Sequence, residues 1–538
     1  MKSLRSVVIY HHTPSEKMAG AEAMMAAIAA VSEPTTVLPE AATYPGPRIS
    51  MISSNKRFQI SPTGSSSFTL TPTSSNGMAI QFFLPTNVFV DTSSLCLEYD
   101  ATLTVPGLTS VPAAVYGFYN SGWDIIRRMQ VFRGSTALMD TEHYNNLMAL
   151  NDMHFESIPQ SRRMGVILEG KSWGATNTQS GNQLLFCEHK GGILGYDSVP
   201  ANAANNTSHF VLPLRTDIFA SKRILSLEDM GQLELRFTLE TLKMAMKCFT
   251  GGYQGTEQLT ITNLKITYRV PQLPANMAAG IRQSTALGRV NLVMNSTDTQ
   301  TTQVSSGQNN ANLIFNWRNI SLSDVIAIAI DSAWANSERV ANIGNFSGWQ
   351  IQTAQWKLGG DYYPPQPMSS YSDFFQNLED CNFNNGNAWD YGKSMQRLRA
   401  LPVQGSGDVA VIAGPYQEIG IAPLSGTTIR LVYPNLWWLD HDRSTIDWQT
   451  NPGGTQPVTL SWYDLQTLTR NGFCVAQSFN REFTPGITAG INMSTSSVNM
   501  ELIVQRSAPA AQGLFIIAYA FFQRTWAILG NGSVTNSA

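Results

Sequence analysis

Charge is scarce in this sequence. Asp, Glu, Lys and Arg make up only 14% of its 538 residues, against about 25% in an ordinary soluble domain. The net charge is −3, and no cationic run exceeds the pairs Arg127-Arg128 and Arg162-Arg163. Neutralising phosphates needs clustered cations, so there is no electrostatic footprint for direct nucleic-acid binding. Cysteine is scarce as well: Cys96, Cys187, Cys248, Cys381 and Cys474 are odd in number, far apart, and form no CxxC pair. That argues against a disulfide framework and for free buried thiols. Long apolar runs are missing too, none approaching the roughly 20 residues of a membrane-spanning helix. Near the N-terminus, Val7-Val8-Ile9-Tyr10 is too short for a signal-peptide core and meets His11-His12 at once. Ala19–Val31, rich in Ala and Met and stopped by Pro34, is a short arm helix expected to dock on a partner, with a membrane surface as the alternative.

What replaces charge is Asn, Gln, Ser and Thr, alongside 43% hydrophobic residues, 12 Trp and 20 Met. The cores of protein interfaces are depleted in charge and enriched in aromatics and Met. Much of this surface is therefore expected to be covered by something other than mobile water, for example neighbouring subunits.

The chain also repeats itself. SGWDIIRRMQVFRGSTALMDTEHYNNLMALND surrounds Trp123, and SGWQIQTAQWKLGGDYYPPQPMSSYSDFFQNLED surrounds Trp349. Each opens on Ser-Gly-Trp, runs through strand-like residues, turns at a Gly and enters an amphipathic helix. The tryptophans lie 349 − 123 = 226 positions apart, and Gly134 and Gly360 are separated by the same 226. Solenoid repeats are 20–50 residues long; this period is that of a whole domain.

Within each copy the dominant pattern has period two. Leu95, Leu97, Tyr99, Ala101, Leu103 and Val105 alternate with Cys96, Glu98, Asp100, Thr102 and Thr104, and Leu233–Glu240 alternates likewise, as strands with one buried face do. Leu259 and Ile261 are out of phase with Leu264, Ile266, Tyr268 and Val270, so a β-bulge is expected at Asn263. In the second copy Val498, Met500, Leu502 and Val504 alternate, and Leu514–Phe522 is continuously apolar. Helical spacing is confined to Thr141–Asn151, with Asp140 or Thr141 as N-cap, to Tyr371–Leu378, capped by Ser369 or Ser370, and to Ser461–Thr469. Long strands with short helices only in connections predict an all-β protein of two tandem antiparallel sandwiches. The expected divisions are an arm over 1–50, a first sandwich over 51–272, a linker over 273–285, and a second sandwich over 286–538 with a C-terminal tail. Aligning Tyr268 in ITYRV with Tyr519 in IAYAF gives a spacing of 519 − 268 = 251, which predicts a loop insertion of about 25 residues in the stretch near 383–460.

Several motifs imitate catalytic sites. Gly165-Val-Ile-Leu-Glu-Gly170-Lys171-Ser172 matches GxxxxGK[ST], and Val325–Asp331 imitates an apolar strand ending in a Mg²⁺-binding Asp. A phosphate loop needs a strand before it and a helix after it; SIPQSRRM and SWGATNTQSGNQ read as neither, and Glu169 would repel phosphate. Gly170-Lys-Ser172-Trp-Gly174 fits GxSxG without the strand-to-helix turn that a nucleophile needs. Asp440-His441-Asp442 offers metal-ligand types, but neighbours on an extended chain point apart. His143, beside the apolar face of the first helix, reads as a surface or packing residue. No catalytic, cofactor-binding or metal-binding residue is assigned, and no enzyme activity is expected.

The order of motifs resembles the double jelly-roll major capsid proteins of tailless icosahedral DNA viruses, nearest to those of virophages and polinton-like viruses. The resemblance is carried by Asp124–Leu150, by FVLPLRTDIFASKRILSLEDMGQLELRFTLE (Phe210–Glu240), and by WKLGGDYYPPQPM (Trp356–Met368), and it spans most of residues 50–530. It implies two eight-stranded jelly rolls, each of two four-stranded sheets. It also implies homotrimers forming pseudo-hexagonal capsomers in the virion shell. The partners it implies are neighbouring capsomers, penton proteins, and minor or cement proteins. The arm would face inward, towards those proteins or an inner membrane. The competing reading is an extracellular carbohydrate-binding or adhesion protein of two jelly rolls that stacks sugars on Trp437 and Trp438.

Overall fold

Alternating apolar side chains give each long strand one face that must leave water, and two such sheets facing each other satisfy that requirement. The computed structural model describes residues 54–72, 79–104, 116–118, 121–154, 168–169, 176–179, 183–186, 193–194, 207–221, 224–227, 231–248, 255–286, 289–319, 321–331, 351–381, 421–425, 428–431, 458–461, 474–480, 490–494, 499–506, 513–529 and 534–537. The first sandwich is built of β1 (Ser54–Ile60), β2 (Ala79–Phe83), β3 (Phe89–Thr104), β4 (Ile126–Arg133), β5 (Thr136–Glu142), β6 (Thr207–Pro213), β7 (Leu233–Leu239) and β8 (Gln258–Gln272). They pair antiparallel in two sheets, ordered β1-β8-β3-β6 and β2-β7-β4-β5. The second is built of β9 (Arg289–Val304), β10 (Asn310–Phe315), β11 (Ser321–Asp331), β12 (Ile351–Leu358), β13 (Asp361–Met368), β14 (Val475–Ser478), β15 (Met500–Arg506) and β16 (Leu514–Leu529). Its sheets run β9-β16-β11-β14 and β10-β15-β12-β13. Adding eight to each label of the first sandwich gives the second, and both orders are those of a jelly roll.

Short helices occupy the connections: α1 (Tyr144–His154), α2 (Ala275–Ala286), which follows β8, and α3 (Tyr371–Glu379). α3 begins where expected, with Ser370 accepting the Asp373 N–H and Asp373 reaching back to the Ser370 N–H. α1 does not start from Asp140 or Thr141. Those residues belong to β5, where Asp140 bonds Arg128 across the hairpin at 2.6 and 2.7 Å. The chain then turns at His143, whose φ is +52°. The helix over Ser461–Thr469 lies outside the described residues, apart from Ser461, which ends a short strand (Val458–Ser461). Within 383–460, Ile421–Ser425 and Thr428–Leu431 pair with one another, and the latter pairs with Val458–Ser461.

The repeat is real but one residue shorter at the hairpin. The turn glycines with positive φ are Gly134 (+56°) and Gly359 (+63°), 359 − 134 = 225 apart, so Gly134 corresponds to Gly359 and not to Gly360. Trp349 lies outside the described residues. Tyr268 and Tyr519 sit on corresponding strands but opposite faces: Tyr268 stacks on Phe58 within the first roll, whereas Tyr519 points out of the second. The expected bulge is present, with the β8–β3 register shifting between Thr262 and Lys265 around Asn263 at φ +52°.

The first Ser-Gly-Trp motif explains itself in three contacts. Ser121 caps the 3₁₀ turn Gly122–Ile125 and pairs reciprocally with Asp124. Trp123 is fully buried edge-on against Tyr144 of α1, with ring centroids 5.4 Å apart. Gly122 leaves room for Tyr99, whose hydroxyl donates to the Gly122 carbonyl at 2.6 Å. A Cβ at Gly122 would lie 2.8 Å from the Tyr99 hydroxyl and 2.9 Å from the Phe210 ring. Gly122→Ala is therefore expected to lower stability by about 1–3 kcal/mol, the usual cost of overpacking, read as a shift in urea midpoint at unchanged slope.

Candidate functional site

The second roll has an apolar face too many. Along β16, Ile516, Ala518 and Ala520 fill its own interior with Trp317 and Trp356, while Ile517, Tyr519 and Phe521 belong to the core that is continuous with the first roll. β11 divides in the same way: Val325, Ala327 and Ala329 face inward, and Ile326, Ile328 and Ile330 join the other core with Leu378, Cys381 and Cys474. Burial on both faces is what turns an alternating strand into a continuous apolar run. Each large side chain so buried contributes about 1.5–3 kcal/mol.

The seam between the rolls is formed where β5 and the 3₁₀ turn Asp217–Ser221 meet β9. Polar bonds fix its register. The Tyr519 hydroxyl donates to the His143 carbonyl at 2.9 Å, and the His143 ring packs edge-on against Phe515 at 5.6 Å. The Asp217 carboxylate accepts the Thr297 N–H at 3.0 Å. Arg524 donates to the Leu138 carbonyl at 3.4 Å and spreads its guanidinium over Phe522 and Trp526. Burial pushes the Asp217 carboxyl up to about 7, opposed by the Thr297 N–H and the Arg524 charge. Burial, helped by Arg127, pulls His143 down to about 4 and keeps it neutral. His143 is thus a packing residue buried at the seam.

The corresponding face of the first roll is polar. Glu98 is buried between Arg57, Lys265 (3.4 Å) and Thr267 (2.6 Å). Asp100 bonds His209 at 2.6 Å and Asn263 at 2.5 Å, and these bonds hold its carboxyl below the usual range although burial works against them. The two rolls thus share a topology and differ in what their matching sheets present.

Of the motifs that imitate chemistry, the described residues include Leu168-Glu169 of the phosphate-loop match and Val325–Asp331. Glu169 of the phosphate-loop match is wholly buried, ion-paired with Arg215, and its carbonyl accepts the Gly122 N–H at 2.7 Å. Lys171, Ser172 and the GxSxG stretch lie outside the described residues, as do Trp437, Trp438 and Asp440-His441-Asp442. Val325–Asp331 lies in β11, a strand antiparallel to both of its neighbours, so it is no part of a parallel nucleotide-binding sheet. Among the described residues, Cys96, Cys381 and Cys474 are free thiols, no three metal-ligating side chains converge, and no helix is long and apolar enough to cross a membrane.

Two jelly rolls of the same strand order in one chain define the double jelly-roll fold, and solved structures carry the same arrangement. The PBCV-1 protein VP54, fitted into a cryo-EM reconstruction of the virophage Sputnik, matches with a TM-score of 0.50 at 11% identity, over 93% of this chain and 99% of that one. A chain from the cryo-EM structure of the Sputnik virophage matches with 0.50 at 11% identity, over 100% of this chain and 94% of that one. The mavirus major capsid protein matches with 0.49 at 10% identity, over 100% and 97%. At such identities the likeness is one of fold. No protein-family model and no curated protein matches the sequence.

The seam carries its own pH signature. A carboxyl raised from 3.8 to about 7 contributes stability that is full below pH 3.8 and is lost as pH rises through 7. Asp217→Asn removes that slope. Its stability relative to the parent should climb between pH 4 and 7, by at most about tenfold in the folding constant per pH unit, and stay level above that. Urea titrations of both proteins across this range measure it.

Proposed function

We propose that the chain is the major capsid protein of a tailless icosahedral DNA virus, a structural subunit whose homotrimer is a pseudo-hexagonal capsomer. The observation that carries this reading is the head-to-tail character of the seam: β5, an edge strand of the first roll, meets β9, an edge strand of the second. Contacts between two unlike surfaces repeat until the rotation closes. The counterpart of β5 is β13 and the counterpart of β9 is β1, and both are exposed in the single chain. Laying β13 of one copy against β1 of the next continues the series. Three chains then close it as six sandwiches around a three-fold axis.

The composition supports this reading, because surfaces poor in charge and rich in Asn, Gln, Ser and Thr suit a molecule that mostly meets other protein. In a virion shell its partners are neighbouring capsomers, penton proteins, and minor or cement proteins, with the arm over 1–50 directed towards these or an inner membrane. Nothing in this role calls for sequence-specific nucleic-acid binding or for catalysis.

Light scattering of the purified full chain should give three times the chain's mass. Gln59→Cys on β1 combined with Gln366→Cys on β13 should cross-link chains into closed trimers under mild oxidation, while either substitution alone should not. A stable monomer that binds glycans would point instead to the adhesin.

A further inference from the structure

Both rolls carry the same cross-strand row on the outer face of their second sheet. In the second roll, Tyr362 of β13 pairs with Lys357 of β12, Lys357 with Glu501 of β15, and Glu501 with Ile314 of β10. In the first roll, Ala137, Phe132, Glu234 and Phe83 follow in the same strand order. The rows correspond position by position, since 357 − 132 = 225 is also the offset of the hairpin glycines. Their chain neighbours Val131, Leu235, Phe82, Trp356, Leu502 and Leu313 are buried inside the rolls, so the rows themselves face outward.

Each row has a neutralised centre and an exposed apolar end. Lys357 holds Glu501 at 3.2 Å, and Arg236 holds Glu234 at 2.7 Å while lying over the Phe132 ring at 4.6 Å. Tyr362 is 45% exposed, Ile314 54% and Phe83 37%, half of the six large hydrophobics exposed among the described residues. Single exposed apolar residues mean little. Here two sequences that otherwise diverge place them at the same point, Phe83 matching Ile314, each beside a glutamate whose charge is already met.

Resting on the capsomer reading, we propose that these rows are the side-to-side contact between capsomers, each docking the row of a second copy of this chain run in the opposite direction. Reversal makes the rows complementary. Two second-roll rows place Lys357 opposite the partner's Glu501 and Tyr362 opposite the partner's Ile314. A second-roll row on a first-roll row places Tyr362 opposite the partner's Phe83 and Lys357 opposite the partner's Glu234. With strands about 4.8 Å apart, a row of four spans about 14 Å, enough to set a register without burying a large area.

The test uses the full chain carrying Phe83→Ser and Ile314→Ser together, neither of them on β13 or β1, and separately Lys357→Glu, a surface charge reversal that leaves the core untouched. Light scattering reports the capsomer, and electron microscopy over a concentration series reports lattice or shell formation. The expected result is an unchanged capsomer mass with at least a tenfold rise in the concentration needed for lattice formation, for both variants. Unchanged lattice formation overturns the proposal, and so does loss of the capsomer, which would place the rows inside it. If the parent chain itself forms no capsomer, the capsomer reading fails first and takes the rows with it.

Discussion

The structure depends on burying one sheet twice. β16 and β11 of the second roll must satisfy their own interior and also the first roll with its adjoining helices, and neither face can be left in water. Ile326, Ile328, Ile330, Ile517, Tyr519 and Phe521 are all buried on the outer side. At roughly 1.5–3 kcal/mol each, they outweigh any single polar bond at the seam. The polar bonds decide where the rolls sit: a Tyr519 hydroxyl can reach the His143 carbonyl, and Asp217 the Thr297 N–H, in one register only. Desolvating Asp217 and His143 is the cost of that register.

Duplicating a fold produces two like bricks, and the seam makes them unlike. The second roll's outer face is apolar because the first roll, together with Leu378 of α3, Cys381 and Cys474, covers it within the same chain. The first roll's matching face instead holds Arg57, Glu98, Lys265, Asp100 and His209, paired with one another. A face of that kind stays soluble in an isolated chain, and it can later meet another copy through a wet, polar contact. A fully apolar face there would invite association before the capsomer closed.

Much of this was legible in the sequence where chemistry is local. Strict alternation at Leu95–Thr104 announced a strand with one wet face. The continuous run at Leu514–Phe522 reads as an apolar strand and Val325–Ile330 as the imitation of a nucleotide-binding strand; that both are buried on two faces is a finding of the structure. The bulge at Asn263 and the cap at Ser370 follow from phase and side-chain type. What was not legible depends on contacts distant in sequence. The first helix starts late because His143 turns the chain against Phe515 and Tyr519, some 370 positions further on. The burial of Glu169 against Arg215, and the one-residue difference between the copies, likewise have no local signature. Nor do the outward rows, which exist only once strand register is known.

Hydrogen exchange of the full chain across a urea series tests the central claim most directly. If the doubly buried sheet joins the two rolls into one cooperative unit, core amides of β3 in the first roll and of β16 in the second should converge on the same opening free energy and the same denaturant dependence. If β16 opens at distinctly lower urea while β3 stays protected, the rolls are independent domains that merely touch, and the account built on their shared core is wrong.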